Sequence, residues 1–147
     1  MSKLLRMMRR LRNPSDLWLF LQIFLMLIFL PRRIRRQSLP DLLAGIDPGV
    51  APGARDEAKL RKTAGFADSL LKYRPFQRYG KCLMRSLVLF RFLRLQGWPV
   101  EIHFGVRRTD GHRADITGHS WLVLDGAPFL EDEHQQNSFA KTYSYPH

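Results

Sequence analysis

At 147 residues with 45% hydrophobic content, the chain has enough apolar material for one domain with a true core. Its one cysteine, Cys82, excludes an internal disulfide and a cysteine-rich zinc site and fits a reducing, cytoplasmic compartment. The net charge of +11 is segregated: Lys3, Arg6, Arg9, Arg10, Arg12, Arg32, Arg33, Arg35 and Arg36 stand against Asp16 alone, so +8 lies in residues 1–36 and +3 in the rest, a pattern that argues against nucleic-acid binding.

Within that basic segment, residues 17–30 are apolar on every side except Gln22. Asn13-Pro14-Ser15-Asp16 supplies a helix start, with Ser15 or Asp16 as the expected N-cap, and Pro31 with the following arginines is expected to end the run. The apolar run is shorter than the roughly 20 residues a bilayer span needs. Arginines on both sides and the lack of a small-residue cleavage site also fit a signal peptide poorly. Three readings stand: a helix buried against the domain, an interfacial helix at a membrane surface, and a short membrane span. A helix apolar all round needs some cover.

Residues 1–45 form this N-terminal segment and 46–147 the expected catalytic domain. Ser38 to Leu43 reads as a short helix start, and Gly45 to Gly53 as a loop. Residues 54–73 fit a helix with Leu60, Ala64, Ala67, Leu70 and Leu71 on one side, ended by Pro75, and 76–81 form a loop. Leu83 to Leu95 is a second helix, with Gly97 as its C-cap signal. Val100 to Val106 alternates as a strand, and 107–118 reads as a polar loop. His119 to Leu124 and Ala127 to Glu131 form a hairpin around Asp125-Gly126. The tail from Gln135 gives no clear reading. The layout is α+β.

Chemistry concentrates at three places. Cys82 lies where a turn enters an apolar helix, and a helix N-terminus favours a thiolate and can bind an oxyanion. His119 opens a strand, and the acidic pair Glu131-Asp132 follows on the next. Cysteine, histidine and carboxylate on helix, strand and strand is the layout of a papain-type thiol enzyme. A two-residue hairpin turn sets Asp132 opposite His119, and a three-residue turn sets Glu131 there; neighbours on a strand face opposite ways, so one of them serves. The Cys82 backbone N–H is the first oxyanion donor and Gln77 a candidate second. Trp121 shares a strand face with His119 and either walls the site or packs in the core. Arg85 either binds substrate or pairs internally, and His103 reads as a core or edge histidine. No histidine spacing suggests a metal site, and no cofactor is expected.

Cys82-Leu83-Met84-Arg85-Ser86-Leu87, Leu95-Gln96-Gly97, Gly105-Val106 and His119-Ser120-Trp121 resemble the transglutaminase-like fold. More narrowly they resemble the lasso-peptide biosynthesis B family in its leader-peptidase half, whose pattern runs C-L-x-R-[SA]-L…G…G-V…H-A-W…[DE]. Ser120 stands where that pattern has alanine, and Glu131 where aspartate is commoner. The resemblance implies a cysteine peptidase that cuts the leader from a ribosomal lasso precursor; acyl transfer to an amine on the same fold, as in transglutaminases, and a non-catalytic membrane-associated scaffold of the biosynthetic complex are the alternatives. It also implies a separate leader-binding recognition protein, an asparagine-synthetase-like cyclase and a location in the cytoplasm or at the inner membrane face. The family spacing favours Glu131 over Asp132 as the third catalytic residue.

Overall fold

The N-terminal apolar run forms a helix longer than its hydrophobic stretch, α1 (Pro14–Arg36), in the computed structural model. Residues 6, 9, 13–53, 55–77, 80–108, 116–130 and 140–146 are described, with backbone alone at 107, 108, 116 and 117. Asn13, not Ser15 or Asp16, is the N-cap, and it makes no side-chain cap bond. Asp16 instead turns inward to an ion pair with Lys62 at 3.1 Å. Pro31 does not end the helix. It removes one backbone donor, but Leu19, Ile23, Leu27 and Leu30 recur at helical spacing and are all buried, and Ile34 packs against the same core beyond it. Tertiary burial on both sides of the proline outweighs the lost bond.

Two short-capped helices follow. α2 (Leu39–Ile46) is capped by Ser38, whose Oγ accepts from the Asp41 N–H at 3.4 Å. α3 (Glu57–Leu70) is capped by Asp56, whose Oδ1 accepts from the Ala58 and Lys59 N–H groups at 2.9 and 3.3 Å. A 3-10 turn (Arg74–Gln77) contains Pro75 and leads toward α4 (Lys81–Leu95).

α4 is the central helix, buried on most of its circumference by Met84, Leu87, Val88, Leu89, Phe90 and Leu93. Its C-terminal end is heavily braced. Gly97, at φ 88°, closes it, with the Trp98 N–H donating to the Leu93 carbonyl at 2.9 Å. Arg94 donates to Asp47 Oδ1 at 2.8 Å and to the Val100 carbonyl at 3.0 Å, with its guanidinium 5.2 Å from the Phe90 ring centroid. Burial, followed by the nearby Asp47 carboxylate, raises the Tyr145 pKa, so this phenol stays neutral beside the pair.

Four antiparallel strands form one sheet in the order β3-β2-β1-β4: β1 (Glu101–Arg108), β2 (Ile116–Leu124), β3 (Ala127–Phe129) and β4 (Ala140–Tyr145). β1 and β2 run deeper into the expected 107–118 loop because their ladder continues through Arg108↔Ile116. β4 comes from the tail that gave no sequence signal. The pleat sends Ile102, Phe104 and Leu122 into the core with the helices, and Leu19 to Ile46 of the first two helices belong to that same core.

Candidate active site

Cys82 occupies the second position of α4, half-buried, behind an N-cap, Gly80, that brings no side chain to the helix end. Gly80 sits at φ 94°, a conformation that side-chain-bearing residues rarely adopt. The first N–H of the helix bonded back to its start is that of Met84, to the Gly80 carbonyl at 3.2 Å. The N–H groups of Cys82 and Leu83 therefore lie in the turn that a helix leaves open to an anion.

One hydrogen bond fixes strand β2 against this turn. Ser120 Oγ donates to Ser86 Oγ at 3.2 Å, with both residues almost fully buried. Ser86 is one helical turn after Cys82, and Ser120 is the residue after His119. The C-terminal end of α4 meets Val100, at the start of β1, so α4 and β2 run the same way. One turn back from Ser86 is about 5.4 Å, and two residues back from Ser120 about 6.8 Å. Cys82 thus stands level with Gly118. A Cβ added at Gly118 would meet nothing within 4 Å, so the space beside this strand end is open.

Alternation decides what faces what. Ser120 and Leu122 face α4. His119 and Trp121 belong to the other face, with His103 and Gly105. There the His119 ring stacks on Trp121, 5.7 Å between centroids and 22° between planes, and His103 lies 6.2 Å from the other end of the stack. His103 Nε2 is 3.0 Å from Glu101 Oε2, which gives it a structural partner. Trp121 is buried and lies over Gly105, where an added Cβ would come within 2.8 Å of its ring. It therefore packs and backs the imidazole at once. His119 therefore lies on the sheet face away from α4, and its strand is tied to the Cys82 helix through the neighbouring Ser120.

Arg85 ties the remaining pieces together. Its Nε donates to Asp68 Oδ1 of α3 at 2.7 Å, and its Nη1 to the Leu130 carbonyl at 3.1 Å. Its guanidinium is engaged internally, which favours the pairing reading over substrate binding. Leu130 immediately precedes the acidic pair, so Arg85 holds that part of the chain next to the Cys82 turn. Glu131 and Asp132 lie outside the described residues. The hairpin turn has two residues, Asp125 and Gly126, with φ 54° and 79°, and its register pairs Leu124↔Ala127, Val123↔Pro128 and Leu122↔Phe129. That register is the one that, continued, sets Asp132 opposite His119. The ladder stops at Phe129, however, and Leu130 turns to φ 59°, so it selects neither acid. Gln77 donates its side-chain amide to the Leu71 carbonyl and closes the connection after α3. An amide carries two N–H hydrogens, so its second is the one an oxyanion would take.

Sequence reasoning missed Ser86, Gly118 and Asp68. Ser86 carried a usable signal, its four-residue spacing from Cys82. Gly118 and Asp68 matter only through the alignment of distant elements.

A family model described as "Transglutaminase-like superfamily" matches residues 26–144, from the middle of α1 through β4. Searches of curated proteins and of solved structures returned no match.

Proposed function

The chain belongs to the transglutaminase-like superfamily, and from that premise we propose that it is a cysteine peptidase that removes the leader from a ribosomally synthesised lasso-peptide precursor. The observation that carries the chemistry is a thiol at an uncapped helix N-terminus, one turn from the hydrogen bond that docks the histidine strand. The resemblance of residues 82–106 to the lasso B family supports the substrate.

The reaction follows from the residues. His119 takes the Cys82 proton as Sγ attacks the carbonyl carbon of the leader–core peptide bond. The oxyanion is held by the Cys82 N–H, with Gln77 as the second donor. The C–N bond breaks as imidazolium returns its proton to the leaving amine. Water, deprotonated by His119, then releases the leader as a free carboxylate and restores the thiol. Glu131 or Asp132, just past the residue that Arg85 anchors, orients the imidazole. The leader-binding protein delivers the precursor, and the cyclase closes the freed core, in the cytoplasm.

The test is mass spectrometry of precursor incubated with the leader-binding protein and either wild type or Cys82→Ala. A leader fragment ending in a free carboxylate, formed by wild type alone, is expected. An isopeptide product would replace hydrolysis with acyl transfer to an amine. A fragment formed equally by Cys82→Ala would overturn the thiol mechanism.

A further inference from the structure

We propose that the outer face of α1, with the pocket at its C-terminal end, is a docking surface for a bilayer carrying anionic phospholipid. This is independent of the peptidase reading. One face of α1 is sealed in the core by Leu19, Ile23, Leu27 and Leu30. The opposite face carries Leu17, Trp18, Leu21, Leu25, Ile28 and Phe29, which are 40–61% exposed. At the same helical spacing this stripe continues into Arg32 and Arg36, both exposed, and exposed Arg6 and Arg9 precede it.

The charges select the occupant. A second copy laid along the stripe, parallel or antiparallel, would bring arginines against arginines at both ends. An anionic surface meets both clusters at once. The helix is long and apolar enough to span a bilayer by length and composition, but crossing would take Ile23, Leu27 and Leu30 out of the core, so we place it in the interface. The stripe from Leu17 to Phe29 spans about 18 Å against a hydrocarbon core of about 30 Å, so the helix lies in the interface.

The pocket gives the headgroup a seat. It holds about 230 Å³ and is lined by Met26, Phe29 and Ile46 together with two guanidinium side chains, Arg33 and Arg91. Gly45 is part of its wall, where an added Cβ would come within 2.7 Å of Arg33 Nη2. Apolar walls beside two arginines, of which Arg91 already donates Nη1–H to the Ile46 carbonyl at 2.9 Å, suit a lipid phosphate with its acyl chain lying along Phe29.

Flotation of the full chain with phosphatidylcholine vesicles, and with vesicles that also contain phosphatidylglycerol, tests this. Binding to the anionic vesicles is expected, at least ~10-fold above the neutral ones and weakening with salt. Leu25→Glu combined with Phe29→Glu should lower it at least ~10-fold with an unchanged circular dichroism spectrum and thermal midpoint, since both side chains face outward. Arg33→Gln should reduce the preference for phosphatidylglycerol. Wild type left unbound by both vesicles overturns the proposal. So does undiminished binding by the double glutamate variant, which would leave the basic terminus acting alone. A lipid-free dimer that the double variant converts to a monomer would make a second copy the occupant and sink it. An unchanged lipid preference in Arg33→Gln removes the pocket from the site.

Discussion

The two ends of α4 are built in opposite ways. The C-terminal end is closed by Gly97, by the Trp98 N–H on the Leu93 carbonyl, and by Arg94 clamped between Asp47 and the Val100 carbonyl. The N-terminal end has a glycine cap and a half-buried thiol, and it carries no side-chain cap bond. The contrast separates stability from chemistry along a single helix. The braced end fixes the helix against the sheet, and the other end leaves its first N–H groups without a side-chain cap, where the proposed chemistry would take place. Substitutions at the two ends should therefore fail in different assays.

The largest effect is expected at the open end. His119→Ala should lower precursor cleavage by about 10³-fold or more while shifting the thermal midpoint little; a large drop in midpoint would make the histidine a packing residue. At the closed end, Arg94→Ala should remove about 3 kcal/mol of unfolding free energy in urea, because the half-buried Asp47 carboxylate loses its charged partner and keeps only neutral donors such as the Gly49 N–H. Its specific activity at low temperature should stay near wild type, and loss of both together would erase the division of labour. Gly118→Leu sharpens the comparison further. The added side chain enters open space, so the fold is kept, but it fills the gap level with Cys82 and should slow turnover roughly 10–100-fold. Normal activity would show that the reaction does not use this gap. The smallest effect concerns the pin between helix and strand. Ser86→Ala and Ser120→Ala should each cost about 1–2 kcal/mol by orphaning a buried hydroxyl, and the double variant no more than either alone. Additive losses in the double-mutant cycle would mean that the two serines do not act as a pair.

Most local signals in the sequence held where local chemistry decides structure, the N-cap of α1 being an exception, since Asn13 and not Ser15 or Asp16 takes it. The Asp125-Gly126 turn, the alternation of β1, the Gly97 stop and the entry of Cys82 into a helix are all set by nearest neighbours, and all are present. Three features were not legible because distant burial decides them. α1 runs through Pro31 since its buried face rests on the core on both sides. β4 alternates only over Tyr143-Ser144-Tyr145, too short a run to read as a strand in sequence, and it is a strand because β1 offers it an edge on which both tyrosines meet the core. Ser120 reads in sequence as a mild departure from the alanine of the lasso B pattern that the chain resembles, yet it is the partner of Ser86. Turn arithmetic alone does not choose between Glu131 and Asp132 as the candidate acid. The observed two-residue turn matches one of the two registers, but the ladder ends at Phe129 and Leu130 turns away, so it selects neither residue.

The central claim is that the open end of α4 and the histidine of β2 form one chemical unit. Its most direct test is the rate at which iodoacetamide alkylates Cys82, followed by intact mass at neutral pH in wild type and in His119→Ala. The account predicts that the wild-type thiol reacts at least ~10-fold faster, because the imidazole takes its proton. Equal rates in the two proteins would contradict it and leave Cys82 an ordinary half-buried thiol.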